Sequence, residues 1–376
     1  MVEIKYIPAI GGAFNNKPKT PYSECIYWWK KECTFYYPYI LSSAFYNFDR
    51  HNYREELDIA PNVTIIADSG GYQSVSMSKD IDVIKILRWQ EKVANIGLTL
   101  DTPPYTMSET MQFGSKLTGE GFIKKMEQTA VNSEKAIESR KNNNLKLYAT
   151  IQGETYQEMK SWYDRLTKNH QFDGYALAPK PSTSPEQIAK YLIFAKENFP
   201  DKPIHILQVS GKTSIPMITY YGLLSKHPLI TFDSSSYIIG SKYKAIFNPL
   251  KYFDMIKLSS DRERILTENN IVADFKQSPC ICESCKMINK YNILSEEGKD
   301  DTFGLSLLSL HNLNHIVDYT SIITGIKDKE YLKFFISKHS RNALKGIEYI
   351  DGCIENGLEN YEKGVRHRTK NLLDYY

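Results

Sequence analysis

Short apolar runs, each closed by a polar or glycine residue and followed by a longer amphipathic stretch, recur along the chain. Val63 to Ala67 ends at Asp68, Ile96 to Leu100 at Asp101, and Leu145 to Ile151 at Gln152. Gly174 to Ala178 ends at Pro179, Ile204 to Val209 runs to Gly211, and Leu229 to Phe232 ends at Asp233. Runs of this length bounded by turn residues read as buried strands. Between them, Ile81 to Ala94, Gly121 to Lys141, Thr155 to Lys168 and Ser184 to Asn198 have helical patterning. Strands alternating with helices predict an α/β protein with a parallel sheet. Six or more such units, each with a polar residue at the strand's C-terminal end, predict a TIM (β/α)8 barrel, whose active sites lie at that rim. A doubly wound open sheet is the alternative, but no glycine-rich dinucleotide turn opens the first helix.

The length of 376 residues suits one large barrel or two domains, and no internal repeat divides it. A hydrophobic content of 41% with 24% charged residues is that of a soluble globular protein, not a disordered or membrane chain. No apolar run approaches the ~20 residues of a membrane span. Met1 to Gly12 lacks the basic-then-apolar layout of a signal peptide, so no membrane partner is expected. A net charge of +3 neither demands nor excludes a nucleic-acid partner, since a local basic groove would suffice.

Three of the six cysteines, Cys280, Cys282 and Cys285, fall within six residues, and His311 follows 26 positions later. A Cys3His set supplies the four ligands of a closed, structural zinc site. The blander reading, reduced cysteines and a surface histidine, fits this clustering poorly. His311 is expected on the first turn of a helix running to Val317. The segment from Lys276 to His311 then forms a zinc-binding insertion late in the barrel. It leaves 1–275 as the main part of the barrel and 312–376 as closing helices and tail. The basic tail residues Lys363, Arg366, His367, Arg368 and Lys370 read as a solvated helix end before a phosphate-contacting edge. Cys25, Cys33 and Cys353 are scattered, and free thiols beside a thiolate metal site imply a reducing, cytoplasmic compartment.

The strand ends gather the chemistry. Asp68, Asp101 and Asp233 each close a strand, and a buried carboxylate is costly unless it is paired or used. Asp68 opens Asp-Ser-Gly-Gly-Tyr-Gln, in which Gly70 and Gly71 would let backbone approach a ligand, although the same residues suit a plain turn. Asp101 leads into the stiff Thr102-Pro103-Pro104-Tyr105, Gln152 precedes Gly153, and Asp233 precedes three serines and Tyr237. Helix capping is the ordinary alternative for Asp101 and Asp233. An amide with carboxylates is the inventory that reads a purine edge.

With these motifs the chain resembles the tRNA-guanine transglycosylase superfamily. The matching runs are DSGGYQ at 68–73, LDTPP at 100–104, IQG at 151–153, FDSSSY at 232–237, and CICESC with LHNL at 310–313, in the family's order. The resemblance implies a barrel with an inserted zinc subdomain and exchange of a polynucleotide guanine for a free 7-deazaguanine. It implies Asp233 as the nucleophile that forms a covalent glycosyl ester and Asp68 as general acid/base. Asp101 and Gln152 would hold the base edge, with Ser69, Gly70, Gly71 and Gly153 shaping the pocket. No room remains between Asp68 and Asp101 for the long hairpin of bacterial tRNA enzymes, and Ala176-Leu177-Ala178-Pro179 stands where those relatives carry Gly-Gly-Leu-Ala. The Asp-Thr-Pro-Pro and Asp-Ser-Ser-Ser-Tyr runs look archaeal, without archaeal C-terminal RNA-binding domains. The chain thus looks most like the DNA-modifying branch, found in phages and bacterial modification clusters, so DNA is the favoured partner. A compact queuosine- or archaeosine-type tRNA enzyme is the alternative, and a non-catalytic scaffold subunit a third reading. A homodimer fits any of these. Lys180, Lys212, Lys242 and Lys244 are the expected phosphate contacts, each also readable as solvated surface.

Overall fold

Eight parallel strands alternate with helices in the computed structural model, which describes residues 2–15, 26–33, 35–76, 81–107, 113–180, 183–248, 253, 255–257, 280–290 and 302–364. The strands are β1 (Glu3–Pro8), β2 (Tyr39–Ser43), β3 (Thr64–Asp68), β4 (Ile96–Leu98), β5 (Lys146–Ile151), β6 (Gly174–Leu177), β7 (Ile204–Ile206) and β8 (Leu229–Ser234). They lie side by side in the order β1-β8-β7-β6-β5-β4-β3-β2. The two outer strands meet where Ala9 bridges Leu41 and the Ile10 N–H donates to the Leu41 carbonyl at 2.8 Å. The sheet is therefore a nearly closed barrel. Six strands fall where the apolar runs place them. β1 and β2 escape that pattern because Glu3, Lys5 and the terminal serines of β2 interrupt their apolar residues.

Strand alternation divides the apolar residues into two cores. Ile7, Leu41, Ile66, Leu98, Tyr148 and Ala176, one from each of six strands, cluster together inside the barrel. Their neighbours, such as Ile40, Ile65, Ala67, Ile151, Leu177, Ile206 and Phe232, join a larger cluster with the helices outside. Two residues on from Ile66 on the same face is Asp68. Thr231 and Asp233 alternate with the outward-facing Ile230 and Phe232, and His205 lies between the outward-facing Ile204 and Ile206. The period-2 geometry of the strands thus turns Asp68, His205 and Asp233 into the barrel.

The surrounding helices are α1 (Val83–Val93), α2 (Gly119–Ser139), α3 (Tyr156–Thr167), α4 (Pro185–Asn198) and α5 (Ser214–Leu224). Each of three has a side-chain cap: Asp82 accepts from Ile84 N, Thr155 forms a capping box with Glu158, and Ser184 accepts from Gln187 N ahead of Pro185. After β8 come α6 (Ser236–Lys242) and an antiparallel pair, Ala245–Phe247 with Met255–Lys257. Then follow α7 (Glu283–Lys290), the long α8 (Thr302–Gly325), α9 (Lys329–His339) and α10 (Arg341–Asn356).

One expectation is corrected here. His311 sits in the middle of α8, not on the first turn of a helix. The apolar run Phe303 to Leu310 carries the helix back past it, and Ser309 stays compatible by donating to the Leu305 carbonyl at 2.9 Å. Of the proposed insertion, 276–279 and 291–301 lie outside the described residues, as do the tail residues Arg366, His367, Arg368 and Lys370. Lys363 pairs with Glu359 one turn away at 2.7 Å, the solvated arrangement expected of it. Among the described residues no helix is long and apolar enough to cross a membrane.

Candidate active site and zinc centre

A cavity of about 760 Å³ opens at the C-terminal mouth of the barrel, and Asp68, Asp101, Gln152 and Asp233 all line it. Four side chains from four separate strand ends, 165 positions apart in the chain at the extremes, therefore share one space.

Their environments differ. Removal from water, reinforced by the charge of Asp233, pushes the Asp68 carboxyl up to about 6, although the Gly70 N–H donates to it at 3.2 Å. Burial, with the charge of Asp68 added, raises Asp101 to about 7. Gln152, only 2% exposed, donates from Nε2 to Asp101 Oδ2, so the amide orients the carboxylate. Asp233 is 4% exposed and its Oδ1 accepts the Gln208 N–H at 2.9 Å. Asp233 does not cap α6, whose N-cap is Ser235, and Asp101 turns to Gln152. The capping alternatives therefore fail for both.

The glycines leave room for protein groups. Ser69, Gly70, Gly71 and Gly153 do not line the cavity. Gly70 has φ +84°, and a Cβ on it would run into Phe45 Cβ. A Cβ on Gly71 would overlap Asp101 Oδ1. Gly153, at φ +132°, faces the start of α3, with Met159 N 2.8 Å from where its Cβ would be. Gly70, Gly71 and Gly153 therefore clear space for protein groups that border the site.

Three contributors escape sequence reasoning. Gln208 adopts φ +58°, a left-handed conformation uncommon for a non-glycine residue, and that geometry aims its N–H at Asp233. His205 is completely buried with Nε2 3.4 Å from Asp233 Oδ1. Tyr105, on the hairpin Tyr105–Met107 with Phe113–Lys116, lines the cavity wall, and Lys180 Nζ lies 5.4 Å from its ring centre. Of the three, Gln208 shows in the sequence only as a polar residue within the run Ile204 to Val209. Of the four expected lysines, Lys180 and Lys242 line the cavity and Lys212 and Lys244 do not. Lys180 also donates to the Gly114 carbonyl at 2.9 Å, and Lys242 is exposed.

The expected metal ligands converge. The Sγ atoms of Cys280, Cys282 and Cys285 and a ring nitrogen of His311 all lie within 4.8 Å of one another. His311 Nδ1 is 3.4 Å from Cys282 Sγ and 3.2 Å from Cys285 Sγ. A tetrahedral zinc with bonds of about 2.3 Å to sulfur and 2.0 Å to nitrogen separates such ligands by about 3.5 Å, so the donor set fits that ion. His311 Nε2 faces the Phe247 carbonyl at 2.8 Å, which places the ring proton there and leaves Nδ1 as the ligand atom. Next to it, the buried Asn312 donates to the Tyr237 and Ala245 carbonyls, both at 3.2 Å, and accepts from Phe247 N at 2.8 Å. The zinc centre is thus fastened to the chain that leaves Asp233. Among the described residues no cysteine is in a disulfide.

Comparison with known proteins adds an independent line. The sequence profile described as queuine tRNA-ribosyltransferase matches residues 56–342. The queuine tRNA-ribosyltransferase of Prochlorococcus marinus (strain MIT 9515) is 22% identical over 300 residues, covering 70% of this chain and 71% of that protein. Its counterpart from strain MIT 9312 is 23% identical over 295 residues, with 70% and 71% covered. The tRNA-guanine(15) transglycosylase of Methanococcus aeolicus is 24% identical over 265 residues, covering 66% of this chain but 35% of its own length.

Proposed function

As this chain belongs to the queuine tRNA-ribosyltransferase family, a family of transglycosylases, we propose that it exchanges guanine in tRNA for a free 7-deazaguanine through a covalent aspartyl intermediate. The observation that supports this best is the meeting of Asp68, Asp101, Gln152 and Asp233 around one cavity.

In this reading Asp233 attacks C1′ of the target nucleoside. A carboxylate O–C1′ bond forms, the C1′–N9 bond breaks, and its electron pair leaves with guanine. Asp68 supplies the proton that guanine takes up. A carboxyl held near 6 is suited to that exchange at neutral pH. The incoming base gives its proton to Asp68 and displaces Asp233, which regenerates both groups. Asp101 and Gln152 hold the base edge; a protonated Asp101 can donate as well as accept. Zinc would be held by Cys280, Cys282, Cys285 and His311, and its role is structural. The division of the chain into 1–275, 276–311 and 312–376 is part of the same proposal.

The relatives' names favour tRNA over the DNA partner expected from the sequence. The target nucleotide must be flipped out or single-stranded, because C1′ is shielded within a duplex. The test is incorporation of labelled guanine or 7-cyano-7-deazaguanine into tRNA and into DNA under identical salt. Incorporation into tRNA, with an enzyme–RNA adduct on denaturing gels that Asp233→Ala abolishes, is expected. Incorporation into DNA alone would overturn the tRNA assignment, and no incorporation into either would overturn base exchange.

A further inference from the structure

We propose that His205 is a positioning residue for Asp233, presenting an Nε2–H to Oδ1 so that Oδ2 is the oxygen that attacks. This rests on the base-exchange reading above and adds a residue to it.

His205 projects from the middle of β7 into the barrel and has no exposed surface. Its Nδ1 lies 2.9 Å from Thr231 Oγ1, and that oxygen lies 3.2 Å from the Ile204 carbonyl. Its Nε2 has no hydrogen-bond partner, and the nearest carboxylate oxygen is Asp233 Oδ1 at 3.4 Å. Three protonation patterns can be written. A neutral ring with its proton on Nδ1 satisfies Thr231, and the Thr231 hydroxyl then donates to Ile204. That pattern leaves a bare Nε2 lone pair facing a carboxylate oxygen at a fully buried position, so two acceptors oppose each other. A neutral ring protonated at Nε2 removes the clash, with the Thr231 hydroxyl proton turned from the Ile204 carbonyl to Nδ1. An imidazolium, protonated at both nitrogens, removes it too. Both remaining patterns place a hydrogen between Nε2 and Asp233 Oδ1.

The same oxygen already accepts the Gln208 N–H, which is aimed by that residue's left-handed backbone. With two donors on Oδ1, the electron density available for attack lies on Oδ2. Asp68, the other carboxylate whose charge His205 feels, gains a reason to differ. Asp68 lacks these two donors and is raised by burial and by the charge of Asp233. The two carboxylates are thereby separated into nucleophile and acid.

The test uses the full chain and reads the rate of adduct trapping in a single turnover. His205→Leu is expected to slow trapping about 10–100-fold, the loss of one charge-assisted donor, while guanine affinity stays within about twofold of the parent. His205→Gln carries an N–H near the Nε2 position and is expected to recover most of that rate. Equal slowing in both variants, or a parent-like rate in His205→Leu, would overturn the proposal. Nitrogen-15 NMR of the unmodified protein gives a readout that survives any folding defect: a proton on His205 Nε2 supports the assignment, and a bare Nε2 overturns it. If the parent itself traps no adduct, base exchange fails, and the NMR tautomer still decides what His205 presents to Asp233.

Discussion

The Asp101 carboxylate occupies the space in which a side chain at Gly71 would sit, so one residue's missing Cβ is the other's seat. The expected consequence is that Gly71→Ala acts on the base site without touching the ligand. Displacing Asp101 breaks its bond from Gln152. Loss of a charge-assisted hydrogen bond to the base amounts to about 1.5–3 kcal/mol. Calorimetry should show guanine binding weakened to the same degree in Gly71→Ala and Asp101→Asn, and only slightly further in the double variant.

The raised Asp68 carboxyl sets a pH limit on the first half-reaction. In the proposed reaction guanine departure needs the protonated form, whose fraction falls as pH rises through about 6. Single-turnover adduct formation is expected to decline up to tenfold per pH unit above that point. Asp68→Asn, slower by typically 10²–10⁴-fold, should lose this dependence. Because Asp68 interacts with Asp101 and Asp233, the observed midpoint belongs to the cluster.

Stability carries the opposite signature to that of an ion-paired carboxylate. Asp101 is raised to about 7 in the folded chain from an ordinary value of 3.8. Between these values the folded state holds more protons than the unfolded one, so stability falls as pH rises through the window. Asp101→Asn removes the titration. Its melting temperature relative to the parent is expected to climb from about pH 4 to pH 7 and then level off. The gain is on the order of 1–4 kcal/mol, less whatever the lost bond to Gln152 costs.

Zinc removal should reach the chain that leaves Asp233. His311 holds the Phe247 carbonyl and Asn312 holds those of Tyr237 and Ala245. Cys282→Ala or His311→Ala is expected to lose one equivalent of zinc by metal analysis and to lower thermal stability, because structural metal binding contributes to folding. Chelation of the parent should have the same effect on both measurements.

Lys242 offers a test of the polynucleotide's path. It is exposed at the cavity mouth. Lys242→Ala is expected to reduce the slope of log affinity against log salt by somewhat less than one, as for a single lost phosphate contact. Lys212→Ala, away from the cavity lining, should leave the slope unchanged.

The sequence by itself determined the barrel, the ligand set and the rim carboxylates. Each of those is a local pattern: an apolar run of strand length, a cluster of thiols, or an aspartate at a run's end. Such patterns follow from the period of the backbone and the cost of burying charge, both of which act within a few residues. What only the tertiary structure decided depends on closure of the sheet. β1 and β2 have weak apolar patterns and are strands because the barrel gives them partners, as the Ile10–Leu41 bond shows. His205 reads as one polar interruption in Ile-His-Ile until β8 brings Asp233 beside it. The rim glycines are visible in the sequence, but that Phe45, Asp101 and the start of α3 pack into the spaces beside them is not. Those contacts join residues far apart in the chain, and their geometry is set by the barrel as a whole.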